Sequence, residues 1–390
     1  MVAGRPSSFE RAVMAFAGFA GILDTSFLIP IIALYALSLG ATTAQAGFIA
    51  ALYSMVAIPA SVVAGVLVDR FGRKRMLVLG LLWDSLSMTL YALASNPLQL
   101  ALVRVFHALG GSLVFPAFIA RSREVSGERV GLGLGLMLAP VALAIALGSG
   151  FAGVTTARLG YRASFIMVAL ILAVAGILAL TLPSRPEERA WRGLRGVVGG
   201  IREAGSNVIA GLWVILVLYI ALGLIVGGLA TSLVEAGIMG EREARLVSGL
   251  SISLSSLVAT AFFLISGLVA DRFGAGIVLV YSSIAGALGF LLAAFKPTAV
   301  GVVTGLAIFG VGLAGLMLVS TILVSNAPPR SRGTSIGLQQ VLNIVGVVIG
   351  APVGGVLAGV GPEPVLLLAS LAFTLALIAT PYAESSKQPS

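Results

Sequence analysis

Cysteine is absent from the 390-residue sequence, and histidine occurs once, at His107. Without cysteine the chain has no disulfide, thiolate metal site, iron–sulfur cluster or cysteine nucleophile. A single histidine argues against multi-histidine metal or haem sites, so we expect no metal and no cofactor. Charged residues make up only 10% of the chain, against about 25% in ordinary soluble domains. So few charges could not cover a soluble globule of this size, which excludes a soluble enzyme.

Apolar residues dominate instead: 58% of the chain is hydrophobic, and glycine adds 49 residues. A membrane-spanning helix needs about 20 mostly apolar residues. This criterion predicts an all-α membrane protein with six spans in an N-terminal bundle (1–183), a cytoplasmic linker (184–207) and six spans in a C-terminal bundle (208–390). The predicted spans lie near 13–37, 44–68, 76–95, 98–120, 131–155, 163–183, 208–234, 245–270, 276–295, 298–325, 333–359 and 363–383.

The net charge is +9, from 24 Lys and Arg against 15 acids. A basic balance can indicate nucleic-acid binding, but these charges sit in short loops between apolar runs, so we expect membrane lipids and not nucleic acid as the partner. With both termini inside, 18 of the 24 basic residues fall on the cytoplasmic side, five fall outside, and Arg104 lies within a span. Because short cytoplasmic loops are enriched in Lys and Arg, both termini are predicted to be cytoplasmic, in a multi-pass protein of the cell membrane.

The linker allows two interpretations. Apolar residues recur there at helical spacing among several arginines, which is typical of an amphipathic helix on an anionic membrane surface. Four glycines in the same stretch weaken a helix and are equally compatible with a flexible tether. The apolar positions are Trp191, Leu194, Val198 and Ile201.

One string occurs twice. Gly-x-x-x-Asp-Arg-Phe-Gly is found at 65–72 and again at 267–274, 202 residues apart, each time after the second span of a half. A basic run follows only the first copy. Two copies in register indicate a duplicated six-span unit, and such repeats are typical of secondary transporters. The residues concerned are Gly65, Asp69, Arg70, Gly72 and Arg73 in the first copy, and Asp271 and Arg272 in the second.

Over essentially its whole length the sequence resembles the major facilitator superfamily, and within it most nearly the 12-helix drug:proton antiporters. The first string is similar to that family's motif between helices 2 and 3. Span 4 carries Arg104-Val-Phe-His107-Ala108-Leu-Gly110, similar to an Arg-x-x-Gln-Gly-x-Gly pattern. Span 5 carries Gly148-Ser149-Gly-Phe-Ala152-Gly153, similar to the antiporter motif Gly-Pro-x-x-Gly-Gly but with Ser149 in place of proline and Ala152 in place of a glycine.

The resemblance implies that Asp69 meets the start of span 11, near Gly333, and acts as a latch that breaks when the cytoplasmic side opens. Alternatively, the basic residues only set topology. Small residues such as Gly65 let helices approach closely. For Gly148 and Gly153 in span 5, tight packing against span 8 competes with a gating hinge near Pro140.

Ionisable residues inside a bilayer are costly and usually functional. Four lie within the predicted spans, all in the first half: Asp24, Asp84, Arg104 and His107. Counting residues along spans 1 and 4 places Asp24 and His107 at nearly the same depth. By resemblance, spans 1 and 4 line the central cavity and span 3 lies outside it. Asp24, Arg104 and His107 are therefore predicted to be cavity residues. Asp24 either couples protons, with Arg104 moving toward and away from it, or forms a static polar clamp with Arg104. His107 is either a proton relay or a histidine hydrogen-bonded within the bundle, and Asp84 is either a structural partner or part of the transport site.

The leading functional hypothesis is a monomeric secondary transporter that exports a small hydrophobic or cationic molecule by alternating access, coupled to protons. The alternatives are a proton-coupled symporter or a uniporter for a sugar or other metabolite, and, more remotely, an intramembrane enzyme. No phosphate-binding loop is present, which argues against a nucleotide-driven pump. A sugar site needs many amides and aromatic groups, and the spans contain few. Catalysis needs clustered ionisable groups, and the spans contain one histidine and two separated aspartates, which argues against an enzyme.

Overall fold

The computed structural model describes residues 7–184, 205–328 and 331–384, and within these ranges every regular element is helical. The predicted linker helix, with Trp191, Leu194, Val198 and Ile201, lies outside the described residues. Twelve helical segments are long and apolar enough to cross a membrane. The predicted number of spans is therefore confirmed, and the fold is an all-α membrane protein.

Within the described ranges, the helices follow one another with short connections. Four helices begin after a residue whose side chain satisfies a free backbone N–H group of the first turn: Ser7, Thr42, Asn96 and Thr298 each accept a hydrogen bond from the residue three positions on. In chain order the helices are α1 (Ser8–Leu28), α2 (Ile32–Ser38), α3 (Thr43–Phe71), α4 (Arg73–Leu93), α5 (Pro97–Val125), α6 (Val130–Leu180), α7 (Ser206–Glu235), α8 (Glu241–Phe273), α9 (Ala275–Phe295), α10 (Ala299–Ser325), α11 (Arg332–Ala358), α12 (Pro362–Leu375) and α13 (Thr380–Glu384), with a 3-10 turn at Ala376–Ala379.

The first predicted span, 13–37, is wrong as a single helix. The structure has α1, a turn at residues 29–31, and the short helix α2. Pro30 lies in that turn. It has no N–H to donate, and its ring clashes with the carbonyl four residues earlier, so a continuous helix would be strained there. The membrane-crossing segment also starts earlier than predicted, at Ser8.

The long element α6 supplies two of the twelve spans. It is helical on both sides of Gly160, whose φ of 77° and ψ of 169° are not helical. A side chain at this φ would clash with the backbone, and glycine avoids that clash. The change of direction falls between the predicted spans 131–155 and 163–183, as expected.

The chain forms two compact units. The first comprises the described parts of Met1–Gly127, Leu143–Glu203 and Pro328–Val341, and the second those of Glu128–Ala142, Ala204–Ala327 and Leu342–Ser390. This division differs from the predicted boundaries at two segments. The start of α6 groups with the second unit, and the start of α11 groups with the first. Both segments are held by the repeated aspartates, as described below.

Candidate functional site

The four ionisable residues predicted within the spans lie in one buried cluster of the first unit. Asp24 comes from α1, Asp84 from α4, and Arg104 and His107 from α5. The two aspartates are 1% exposed, His107 is 0% and Arg104 is 4%. Asp84, for which sequence left a structural and a transport role open, therefore points into the same cluster as the others.

His107 is the centre of the cluster. Its Nε2 lies 3.1 Å from Asp24 Oδ2 and 3.8 Å from Asp84 Oδ1. Its Nδ1 lies 3.3 Å from the hydroxyl of Tyr91. When Tyr91 donates to Nδ1, the ring proton is on Nε2 and points between the two carboxylates. The imidazole thus connects two acids on different helices.

The remaining groups of the cluster hold Asp24 and Arg104 in place. The backbone N–H and the hydroxyl of Thr25 both donate to Asp24 Oδ1, the hydroxyl at 3.1 Å. The Arg104 guanidinium lies 4.9 Å from the centre of the Tyr53 ring, a cation–π contact, and its Nη2 is 3.5 Å from the carbonyl oxygen of Ala50. Arg104 makes no ion pair with either aspartate, both of which belong to the described residues. The predicted Asp24–Arg104 clamp is therefore not formed in this structure.

Asp84 and Arg104 contain the buried polar atoms of the cluster that lack a hydrogen-bond partner among the described residues. Both carboxylate oxygens of Asp84 accept no hydrogen bond there, and Nε and Nη1 of Arg104 donate none. If both carboxyl groups are ionised and the imidazole is neutral, the one guanidinium leaves a net negative charge in the cluster. An uncompensated buried charge costs several kcal/mol. Binding a proton or another cation would remove that cost.

The first copy of the repeated string contacts the beginning of α11 within the first unit. Asp69 Oδ1 accepts the N–H of Gly333 at 2.7 Å, and Oδ2 accepts the N–H of Thr334 at 2.8 Å and its hydroxyl at 2.7 Å. A Cβ added to Gly65 would lie 2.6 Å from the carbonyl oxygen of Gly333. The glycine thus permits the close approach that brings the carboxylate to the helix N-terminus, where an anion is favoured.

The second copy makes the same kind of contact within the second unit. Asp271 Oδ1 accepts the N–H of Gly131 at 2.6 Å, and Oδ2 accepts that of Leu132 at 2.8 Å. A Cβ on Gly267 would lie 2.5 Å from the carbonyl oxygen of Gly131. Asp69 is buried and Asp271 is exposed, and Leu132 has no hydroxyl where Thr334 supplies one.

The neighbouring residues of the strings have distinct places. Gly72 and Gly274 end their helices with φ of 98° and 95°, which favours glycine. Arg73 is buried and pairs with Glu124. The guanidinium groups of Arg70 and Arg272 lie over the rings of the phenylalanines that follow them, at 4.9 and 5.1 Å.

Span 5 was predicted to pack its glycines tightly against span 8, and it does so only near the start of span 5, where Gly131 contacts Gly267. Gly148 contacts α1, not span 8, since an added Cβ would lie 2.6 Å from Ser26 Cβ. At Gly153 an added Cβ would meet no atom within 4 Å, so close packing does not require glycine there. Pro140 lies inside the helical part of α6 that precedes Gly160.

Sequence reasoning missed a second buried ionic group, at the beginning of α1 and the end of α5. Arg121 is 0% exposed. Its guanidinium donates to Glu10 at 3.0 Å, to Glu124 at 2.7 Å and to the carbonyl oxygen of Pro183 at 2.7 Å. Glu10 and Glu124 could have been found as acids placed among the basic residues of helix ends. Tyr53 and Tyr91 were missed because aromatic residues in apolar spans carry no signal of their own.

The profile of the Major Facilitator Superfamily matches residues 14–343 and 237–389. The chain belongs to this family. Members of the family are transporters, which supports the expectation that the chain is not an enzyme. It is therefore a multi-pass membrane protein of a transporter family.

Similar proteins include several linked to drug resistance. Multidrug resistance protein 1 of Bacillus subtilis is 29% identical over 182 residues, which are 45% of this chain and 46% of that protein. Quinolone resistance protein NorA of Staphylococcus aureus is 25% identical over 184 residues, 47% of each. An MFS-type transporter of Methanocaldococcus jannaschii is 26% identical over 162 residues, 41% of this chain and 42% of that one. The chain thus matches a little under half the length of these relatives.

Solved structures show the same fold at low identity. The human organic anion transporter MFSD10 superposes with a TM-score of 0.77 at 16% identity, over 96% of this chain and 100% of that one. The transporter FucP in its outward conformation gives a TM-score of 0.76 at 13% identity, over 97% and 99%. At these identities the likeness concerns the fold alone.

Proposed function

We propose that this transporter exports a small hydrophobic or cationic organic molecule by alternating access, in exchange for protons. The observation that carries the proposal is the uncompensated negative charge of the Asp24–Asp84–His107–Arg104 cluster. A proton is the smallest cation that restores neutrality there. The partial matches to drug-resistance proteins support the substrate class.

In the proposed cycle the cluster alternates between two ways of balancing its charge. Here Arg104 lies over Tyr53 and forms no ion pair with either aspartate, and a proton held among Asp24, Asp84 and His107 balances the second carboxylate. When Arg104 moves to a carboxylate, or a cationic substrate approaches it, the proton is no longer needed and leaves. Substrate and proton thus exclude one another from the same negative charge, which is the requirement for exchange.

The repeated strings have a separate role in the proposal. Asp69 and Asp271 hold the first turns of α11 and α6, and we assign them to a latch that stabilises one conformation. A charge-assisted hydrogen bond to backbone N–H groups is stronger than a neutral one. Its loss therefore shifts the balance between conformations while the helices stay folded.

The proton proposal is tested with Asp24→Asn in proteoliposomes that carry a pH gradient. We expect gradient-driven accumulation of a fluorescent organic cation such as ethidium to be lost, while substrate binding survives, because the isosteric amide keeps the shape and removes the charge. Glu363→Gln, an acid-to-amide change in the first turn of α12, is the matched control and should transport as the wild type does. If Asp24→Asn still concentrates the cation against its gradient, the proton site lies elsewhere or the carrier is a uniporter.

We also propose that the protein lies in the cell membrane with both termini in the cytoplasm, as the distribution of basic residues predicts. The cysteine-free chain permits a direct test. Ser184 and Gly240 are both exposed and lie in connections predicted to face opposite sides. Gly240→Cys should react with an impermeant thiol reagent applied outside intact cells, whereas Ser184→Cys should react only after the cells are opened. The reverse labelling would invert the orientation.

A further inference from the structure

We infer that Asp24, Asp84 and His107 together form a binding site for a divalent transition-metal ion such as Zn²⁺. This ligand class lies outside the proposed exchange of an organic molecule for protons. The inference uses the same cluster but does not depend on proton coupling. It also goes against the sequence-based expectation of no metal site, which rested on the single histidine.

The geometry brings three donor atoms to a common point. His107 Nε2, Asp24 Oδ2 and an oxygen of Asp84 all lie within 4.8 Å of one another, with Nε2 at 3.1 Å from Asp24 and 3.8 Å from Asp84. Zinc bonds of about 2.0–2.2 Å in a tetrahedral arrangement separate neighbouring ligand atoms by about 3.3–3.6 Å. The two distances measured from the imidazole bracket that range. Three protein ligands leave the fourth position for water or another ligand.

The outer atoms of two ligands are held by hydrogen bonds that leave the inner atoms available. A metal would bind His107 Nε2 in its deprotonated form, so Nδ1 would then carry the ring proton and donate it to the Tyr91 hydroxyl oxygen, 3.3 Å away. Thr25 engages Asp24 Oδ1 through its N–H and its hydroxyl, so Oδ2 faces the centre. In metal sites such outer hydrogen bonds orient the ligands and fix the histidine tautomer.

Asp84 provides an independent reason to place a cation here. Its carboxylate is fully buried, is directed toward His107 Nε2, and has no hydrogen-bond donor among the described residues. Two ionised carboxylates balance the charge of a divalent ion, and the charge of Arg104 is then in excess. One imidazole nitrogen with two carboxylate oxygens suits zinc and its first-row neighbours, whereas calcium takes six to eight oxygens.

Arg104 sets the strength of the site. Its guanidinium is held by the Tyr53 ring and the Ala50 carbonyl and does not occupy either aspartate. It leaves the carboxylates free as ligands but repels a bound cation at this short range. Replacing Arg104 by a neutral residue should therefore tighten metal binding. A metal bound elsewhere, on the protein surface, would bind equally well before and after this replacement.

Cobalt absorption gives a direct readout. The full-length protein, purified without a polyhistidine tag and freed of metal, is titrated with Co²⁺ at a fixed pH while the visible absorption is recorded, and Zn²⁺ is then added as competitor. We expect one Co²⁺ per chain, displaced by Zn²⁺. His107→Gln and Asp84→Asn should each weaken binding by about 100-fold or more, and Arg104→Gln should tighten it by about tenfold. Glu363→Gln, an acid-to-amide change at an exposed position in the first turn of α12, should bind as the wild type does.

Each outcome decides the inference. Absence of a wild-type cobalt band at millimolar Co²⁺, or equal binding by the wild type, His107→Gln and Asp84→Asn, would overturn it. Thermal unfolding in the absence of metal shows whether each variant is folded, and Asp24→Asn serves as a third ligand variant if one is not. The exchange proposal is judged separately, by gradient-driven transport in metal-free vesicles. Cobalt binding with no loss of that transport in Asp24→Asn would support the metal site and refute the proton site.

Discussion

The two halves of the sequence share a scaffold but not its chemistry. Both contain the Gly-x-x-x-Asp-Arg-Phe-Gly string, and in both its aspartate accepts two backbone N–H groups at a helix beginning. Yet every buried charged side chain among the described residues precedes residue 130. The buried polar groups of the second half are hydroxyls and amides, among them Ser320, Thr321, Gln339 and Asn343.

This difference separates the repeated string, which occurs in both halves, from the buried charges, which occur in the first half only. A helix N-terminus must be satisfied wherever it occurs, so the string serves both halves. A buried charge is costly wherever it lies, so it is kept only where it does something. The comparison therefore supports placing the proposed ion chemistry in the first half.

The largest effect is expected at Asp84. Asp84→Asn should reduce gradient-driven transport to the level of empty vesicles, because the uncompensated charge that attracts the cation is gone. Since its carboxylate oxygens accept no hydrogen bond, thermal stability should not fall. In the second half, Ser320→Ala removes a hydrogen bond to the Gly211 carbonyl and should cost about 1 kcal/mol while transport persists. Transport lost equally in both variants would break the contrast between the halves.

Substitutions in the two copies of the string should differ less in their effects on transport and stability than Asp84→Asn and Ser320→Ala do. Asp69→Asn should lower stability by about 1.5–3 kcal/mol, the value of a hydrogen bond to a charged group, and reduce transport. Asp271→Asn should cost about half as much, because Asp271 is exposed and its charge is screened by water. Thermal unfolding and initial transport rates of the two variants, measured side by side, give the ranking. Equal losses would mean that burial does not distinguish the copies.

The smallest effect isolates a single hydroxyl. Thr334→Val removes the third hydrogen bond of Asp69 and makes the first copy resemble the second, where Leu132 stands at the corresponding place. We expect a loss of about 0.5–1.5 kcal/mol in thermal unfolding. The converse change, Leu132→Thr, offers Asp271 a hydroxyl and should stabilise the protein slightly. A larger loss for Thr334→Val than for Asp69→Asn would contradict the assignment of the carboxylate as the main acceptor.

Several features were predictable because they depend on local sequence. Apolar run length predicted twelve spans, and the two copies of the string in register predicted a duplicated six-span unit. The resemblance placed Asp69 near Gly333, where the structure has it. The first span was predicted wrongly at Pro30. A proline favours a break in a helix, but the prediction followed the apolar run across it, and the structure has a turn at that position.

The arrangement of the buried cluster could be predicted only in part. Depth counting along antiparallel spans placed Asp24 level with His107, and their side chains do meet. It predicted an arginine beside Asp24, whereas Arg104 lies over Tyr53. Residue spacing along one helix does not determine how that helix is rotated about its axis or which rotamer a side chain adopts. The contacts of Arg104 therefore depend on the neighbouring helices.

By itself the sequence determined that this chain is a membrane protein of duplicated helical bundles, because hydrophobicity and periodicity act over one span at a time. The ion chemistry was decided by tertiary structure. Asp84, on a helix that resemblance places outside the cavity, turns its carboxylate toward His107 at 3.8 Å and leaves it without a hydrogen-bond donor among the described residues. Three donor atoms from three helices, up to 83 residues apart in the sequence, converge only when those helices pack, and the proposed cation site depends on that convergence.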